Sequence, residues 1–147
     1  MDLTQRALYG FATDENLRFA DQDANGHVNN GAFTQLMETA RVRYIGEIVR
    51  RPELPRVRMV VGRLEVDFRR QMFYPGRATA CARVVEVFEK RMVIGQALFD
   101  AAGNCTATLR ATMVCLDEAT HRSTAFPPEV RHALDRLATS PDGLYPP

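Results

Sequence analysis

The sequence predicts an α+β domain in which one long helix is wrapped by a curved antiparallel sheet of five strands. Two observations carry this prediction. Apolar residues recur at spacings of three and four from Gly31 to about Arg51, which is the pattern of one helical face. Other segments alternate apolar and polar residues and are separated by short turns, as in antiparallel sheets. One long helix with an apolar face needs a large apolar surface to cover it.

The length and charge of the chain narrow the class of protein. A chain of 147 residues predicts a single domain over 1–147, large enough to bury roughly 70% of its unfolded surface. The net charge of +1 gives no electrostatic case for nucleic acid or an anionic membrane as the main partner. No apolar run reaches the length of a membrane span, and the N-terminus lacks the apolar centre of a signal peptide. We therefore expect a cytoplasmic protein.

The cysteines indicate a reducing compartment rather than a metal site. Cys81, Cys105 and Cys115 are odd in number, and neither a Cys-x-x-Cys pair nor a Cys/His pair with metal spacing is present. We expect three reduced, partly buried thiols.

The first half of the chain contains a lead-in, a short strand, a polar loop and the long helix. Residues 1–13 are expected to be a loose lead-in, and weak alternation over Asn16–Ala20 predicts a short strand. The polar loop Asp21–Asn30 follows, and its last two asparagines are suitable N-caps for the helix. Pro52 ends the helical pattern.

The second half of the chain contains four predicted strands. The segment from about Arg56 to Arg69 alternates in its second half, where Leu64, Val66 and Phe68 mark the face expected to be buried. Three further strands with short turns between them follow, over Arg77–Glu89, Met92–Asp100 and Cys105–Leu116. These three strands predict an antiparallel meander.

A short helix, a loose tail and a second copy of the chain complete the prediction. Pro127 and Pro128 suit the start of a helix, and the tail Ser140–Pro147 is rich in proline and glycine. The sheet would have open edges, and small apolar residues on both faces of Arg77–Val87 indicate that part of its outer surface is covered too. Edge-to-edge pairing would satisfy both needs, so we expect a homodimer or homotetramer.

The polar loop and the start of the helix resemble a known family. The pattern Asp-x-Asp-x-x-Gly-His-Val-Asn-Asn over Asp21–Asn30, followed by Phe33 and by Glu-Thr-Ala-Arg at 38–41, resembles the hotdog-fold acyl-CoA thioesterases related to 4-hydroxybenzoyl-CoA thioesterase. Tyr-Pro-Gly at 74–76 and Lys90 at the next hairpin are also similar. The resemblance covers about 14–138, which we take as the core. It implies a hotdog fold, at least a dimer, and thioester hydrolysis without a metal or organic cofactor.

The resemblance also implies roles for residues around the loop. The carboxylate of Asp23 would act on the thioester carbonyl, either as a nucleophile or as a base for water. A backbone N–H in the first helical turn, near Asn30 and Gly31, would polarise that carbonyl. From loop chemistry alone, Asp23 could equally be a turn residue that binds the loop's own amides. His27 is either an acid–base group or a residue of loop structure or substrate contact.

Substrate contacts are assigned by position and chemistry. Lys90 and Arg91 at a hairpin are either a solvated turn or contacts for coenzyme A phosphates. Four apolar residues are plausible walls of an acyl pocket: Phe33, Met37, Met59 and Val60. Glu38 is expected to pair with Arg41 on the helix surface.

Three alternatives remain beside hydrolysis of an acyl-CoA. The acyl group could be carried on acyl carrier protein, or the protein could bind acyl-CoA without turnover; a hydratase fits Asp23 less well.

A calcium-binding loop would match the opening of Asp21–Asn30. That loop requires a glutamate at its twelfth position, where this chain has Ala32, so no metal site is expected.

Overall fold

One long helix lies against a five-stranded antiparallel sheet in the computed structural model, which describes residues 1–144. The elements in chain order are β1 (Phe11–Asn16), α1 (Asn30–Val49), β2 (Arg58–Phe68), β3 (Arg77–Val87), β4 (Arg91–Asp100), β5 (Cys105–Leu116) and α2 (Pro128–Thr139). Short 3-10 turns at Arg6–Leu8 and Phe19–Asp21 flank β1. The fold is the α+β hotdog architecture that the sequence predicted.

The sheet has the order β1-β3-β4-β5-β2, and every neighbouring pair is antiparallel. The meander β3-β4-β5 forms its centre, as predicted, while β1 and β2 form its two edges. The central strands consist largely of buried residues, because α1 and α2 cover one face and the N-terminal segment covers part of the other.

Helix α1 contributes one face to the main core. Its first residue follows a polar cap and its last precedes Pro52, so the predicted helix is confirmed to within two residues at its C-terminal end. The apolar positions that gave the helical period are buried: Phe33, Met37, Ala40, Tyr44 and Ile48. Arg41 was expected to pair with Glu38 on the helix surface. The pair is present, with Nη2 of Arg41 3.5 Å from the Glu38 carboxylate, but the surface position is wrong for Arg41, because only 3% of it is exposed.

The first strand lies earlier in the chain than predicted. The strand is Phe11–Asn16, not Asn16–Ala20, and it pairs with β3 from Phe11 opposite Ala82 to Asn16 opposite Arg77. Aspartate, glutamate and asparagine are disfavoured in strands, but pairing with β3 overrides that local preference.

The N-terminal residues are also packed rather than loose. Leu3 and Tyr9 cover Cys81, Ala97 and Phe99 on the outer face of the sheet. A β-carbon at position 95 would lie 2.7 Å from the Leu3 side chain, so glycine there allows the close approach. Part of the outer surface is therefore covered by the chain itself.

Arg83 joins the two ends of the chain. Its buried guanidinium donates to the backbone carbonyls of Leu8, Ser140 and Pro141. The Tyr44 hydroxyl donates to the carbonyl of Gly143 at 2.6 Å. The tail is thus held through its first residues rather than loose, and the expectation for 145–147 lies outside the described residues.

Strand β2 differs from the prediction in its burial. Leu64 and Phe68 are 43% and 48% exposed, although the alternation predicted a buried face. β2 pairs with β5 along one edge, and within residues 1–144 no strand pairs with its other edge.

The three cysteines are free thiols, two of them buried. Across residues 1–144, neither helix is both long enough and apolar enough to cross a membrane.

Candidate active site

Asn29 caps the N-terminus of α1. Its side-chain oxygen accepts from the N–H of Ala32 at 2.8 Å, and its side-chain amide donates to the carbonyl of Asp21. Its backbone N–H donates to the same carbonyl at 2.8 Å. These bonds hold the loop and the helix start as one unit.

Asp21 supports the loop from beneath. It is 3% exposed, and its carboxylate accepts from the backbone N–H of Arg18 at 2.7 Å and from the Arg18 guanidinium at 2.8 Å. Burial alone would raise the pKa of Asp21, but the hydrogen bonds and charge of Arg18 outweigh it and lower the pKa below its ordinary value. Its carboxylate is therefore occupied by the bonds that hold the loop.

Asp23 is more exposed than Asp21, with 29% of its side chain accessible to solvent. One carboxylate oxygen accepts from the N–H of Asn25 at 2.7 Å, and the other lies 3.4 Å from Nδ1 of His27. The Asp23 N–H donates to the carbonyl of His27, and Gly26 closes the turn with a φ of +80°, a left-handed conformation that glycine adopts without strain. The turn therefore presents a carboxylate and an imidazole side by side.

The first turn of α1 supplies free amides. The Asn29 side chain and backbone accept from Ala32 and Phe33. Within residues 1–144, the N–H groups of Asn30 and Gly31 have no acceptor, and both residues are exposed. Such groups carry the partial positive charge of the helix N-terminus and can bind an oxygen that gains negative charge.

Four of the predicted residues therefore share one loop. Asp23, His27, Asn30 and Gly31 lie on a single turn-and-helix unit, and Asp23 and His27 are in contact. A carboxylate on the loop that leads into such amides can attack a carbonyl or activate water, and the amides can stabilise the oxyanion. Across the described part of the chain, no group of three or more His, Cys, Asp and Glu side chains could hold a metal ion.

Lys90 and Arg91 lie far from that loop in the same chain. The loop adjoins the start of β3, since Leu17 donates to the carbonyl of Gly76 and Val28 to that of Met72. The hairpin lies at the other end of β3, about 33 Å away for ten steps of strand. Lys90 is exposed, and the Arg91 guanidinium lies 4.4 Å from the centre of the Phe88 ring.

The predicted pocket walls divide into two pairs. Met59 and Val60 line a cavity of about 740 Å³ between β2 and the C-terminal half of α1. Phe33 and Met37 do not line it: Met37 is fully buried, and Phe33 packs edge-on against Phe68 at 5.5 Å.

The sequence predicted no role in the site for two buried polar residues, Gln96 and Arg41, of which Arg41 lines this cavity. Arg41 donates to the side-chain oxygen of Gln96 at 3.0 Å, and Gln96 donates to the carbonyl of Met37 at 2.6 Å. The spacing of Met37, Arg41 and Tyr44 places all three on one helical face, which was the available signal. A helical pattern defined by apolar residues alone does not include Arg41.

Comparison with known proteins identifies the family of the chain. The family model described as the thioesterase-like superfamily matches residues 17–134. The chain belongs to that superfamily. A comparison with curated proteins finds no match.

Solved structures share the fold. A predicted thioesterase from Bacillus stearothermophilus is 25% identical, with a TM-score of 0.76 over 86% of this chain and 94% of that one. A thioesterase from Thermus thermophilus, complexed with coenzyme A and Zn, is 26% identical, with a TM-score of 0.75 over 86% and 98%. A DHNA-CoA thioesterase from Staphylococcus aureus, at 21% identity and a TM-score of 0.68 over 78% and 79%, has the same fold.

Proposed function

We propose that the protein is an acyl-CoA thioesterase that hydrolyses an acyl-CoA to the free acid and coenzyme A, with Asp23 as nucleophile or general base. The observation that carries this proposal is the part-exposed carboxylate of Asp23 on the loop that leads directly into the open amides of Asn30 and Gly31. Membership of the thioesterase-like superfamily supports hydrolysis. The Thermus thermophilus relative solved with coenzyme A supports the carrier.

The two roles of Asp23 differ in the first bond formed. As a nucleophile, its carboxylate attacks the carbonyl carbon, the C–S bond breaks, the thiolate leaves, and water then hydrolyses the acyl-enzyme anhydride. As a base, it takes a proton from water as the water oxygen attacks, and collapse of the tetrahedral intermediate expels the thiolate. In both, the amides of Asn30 and Gly31 bind the oxyanion, and His27 is positioned to orient Asp23 or to deliver a proton to the leaving thiolate.

The working enzyme is proposed to be a homodimer or homotetramer built on β2. This strand has a free edge and carries exposed apolar side chains. Val42 of α1, on the same flank, is 57% exposed. A two-fold contact between identical edges makes the two strands antiparallel. An axis at Leu64 would set Arg63 of one copy opposite Glu65 of the other, which matches opposite charges.

Antiparallel pairing would also join separated parts of the site. The Asp23 loop of one subunit would approach the β2 start and the Lys90 hairpin of the other. Lys90 and Arg91 could then contact coenzyme A phosphates, with Met59 and Val60 beside the acyl group. The same pairing would cover Phe68, which is 48% exposed in the single chain.

The test is release of free thiol from a panel of acyl-CoAs. Asp23→Asn keeps the shape of the side chain but cannot act as nucleophile or base, so we expect kcat to fall about 10³-fold. Asp135→Asn on α2 is the matched control and should retain the wild-type rate. Equal rates for wild type and Asp23→Asn would contradict the assignment, and tight acyl-CoA binding without thiol release by wild type would indicate a binding protein instead.

A further inference from the structure

Arg41 is a buried cation beside an apolar cavity. Only 3% of the residue is exposed, yet it lines the cavity of about 740 Å³ between α1 and β2. Apolar side chains form most of the wall: Val42, Ile45, Val49, Val57, Met59, Val60, Val61 and Met113. A guanidinium in such a wall must serve either the fold or a ligand.

Only some of the N–H groups of Arg41 are hydrogen-bonded. A guanidinium has five N–H groups. Within residues 1–144, Arg41 makes one hydrogen bond, from Nη1 to the side-chain oxygen of Gln96 at 3.0 Å. In that range its other donors have no acceptor at hydrogen-bond geometry, and none of them is fully enclosed, so they open onto the cavity or solvent.

The charge of Arg41 is also weakly balanced. Its nearest carboxylate is that of Glu38, 3.5 Å from Nη2 and 61% exposed. Burial lowers the pKa of Arg41 below its ordinary value, and the Glu38 charge does not fully offset that effect. A buried cation is costly unless an anion both pairs with it and accepts its hydrogen bonds.

Gln96 fixes the direction of the guanidinium. It is fully buried on β4, and its amide nitrogen donates to the carbonyl of Met37 at 2.6 Å. That bond leaves its oxygen pointed at Arg41. An arginine whose guanidinium is held in one direction is typical of a recognition site, whereas a surface arginine is solvated.

We propose that Arg41 is a specificity-determining residue that binds an oxygen acceptor, a carboxylate above all, at the far end of the acyl group. This inference rests on the proposed acyl-CoA thioesterase function and narrows its substrate class. Two other arginines and two glutamates line the cavity: Arg50, Arg58, Glu38 and Glu118. With Arg41 the lining carries three cations against two anions, and both glutamates are exposed.

The position of Arg41 sets a length requirement. It lies ten residues beyond Gly31, which is about 15 Å along α1 within one chain. A short acyl group held at the Asp23 loop of the same chain would not reach it. Because the proposed site takes its Asp23 loop from the partner subunit, the contact between the subunits sets the path to Arg41. The acyl length at which the preference for a terminal carboxylate emerges measures that path.

The test measures binding of non-hydrolysable S-alkyl-CoA thioethers by calorimetry. The probes form a length series, each made with a methyl end and with a carboxylate end. We expect wild type to bind the carboxylate form at least about tenfold tighter at the matching length, as removal of a charged hydrogen bond typically costs that much. Arg41→Met should abolish the difference and Arg41→Lys should retain part of it, while Arg131→Met on α2 should behave as wild type.

A second variant guards against misfolding. Arg41→Met leaves the Gln96 oxygen buried without a donor, so Arg41→Met combined with Gln96→Leu removes both partners and should keep the fold. A carboxylate preference that survives in either variant, or equal binding of both ends at every length, overturns the proposal. Hydrolysis without end preference defeats this inference alone, whereas end preference without hydrolysis defeats the proposed thioesterase activity alone.

Discussion

The two ends of helix α1 are built for different tasks. At its N-terminus, short polar side chains and open amides surround Asp23, and hydrogen bonds hold the loop in one geometry. At its C-terminal half, the flank facing β2 is apolar and borders a cavity. The proposed chemistry and the proposed space for a substrate therefore lie at opposite ends of the helix in one chain. This separation is the reason why we propose that a second chain brings them together.

Breaking the β2 edge should have the largest effect on this arrangement. Leu64→Asp would place two carboxylates against each other at the proposed axis, so we expect a monomer and at least about a 100-fold loss of thioesterase rate with the fold retained. Size-exclusion chromatography and thiol release check both results.

The same position offers its own control. Leu64→Lys should also be a weakly active monomer, and an equal mixture with Leu64→Asp should regain dimer and activity through opposite charges. A fully active Leu64→Asp monomer would show that one chain suffices.

Changing His27 tests the chemical end of the helix. His27→Gln removes the imidazole 3.4 Å from the Asp23 carboxylate, and we expect kcat to fall about 10–100-fold with little change in KM. Stopped-flow or steady-state thiol release would measure it. An unchanged kcat would assign His27 to loop structure or, if KM rises, to substrate contact.

Changing the hairpin tests the binding end. Removing both cations in Lys90→Ala with Arg91→Ala should raise KM for acyl-CoA about tenfold and leave kcat nearly unchanged. The matching acyl-pantetheine has no nucleotide phosphates, so its KM should not respond. If both substrates lose equally, the hairpin serves the fold rather than the phosphates.

The smallest effect is expected from a change at Asp21, the first residue of the loop. Asp21→Asn should cost about 1–2 kcal/mol of unfolding free energy at pH 7, because the bonds to Arg18 lose their charge. The folded pKa of Asp21 is lowered, so its stabilisation is complete above the unfolded value and disappears as the pH falls through the folded one. The difference in stability between wild type and variant should therefore shrink in acid, as measured by urea unfolding at neutral and at acidic pH.

The sequence predicts most of the fold because its patterns are strong. Twenty residues of helical period define α1, and clean alternation defines β5 over the predicted range. The first strand escapes prediction because Asp14, Glu15 and Asn16 carry no strand preference and depend on pairing with β3. Local pattern cannot reveal a strand that only its neighbour stabilises.

The candidate site is predicted less completely than the fold. The loop chemistry and the family resemblance bring Asp23, His27, Asn30 and Gly31 together, since all lie close in sequence. Arg41 escapes because its partner Gln96 is 55 residues away. The exposure of Leu64 escapes because alternation predicts an apolar face without saying which chain covers it.

The most direct measurement of the central claim mixes two defective variants. Asp23→Asn lacks the chemical group, and Lys90→Glu with Arg91→Glu reverses the binding end. If each site takes its loop from one chain and its hairpin from the other, an equal mixture of exchanging dimers should contain intact sites in about a quarter of all positions. Thiol release at low acyl-CoA should then rise well above either variant alone. A mixture no more active than the mean of the two would contradict a site shared between chains.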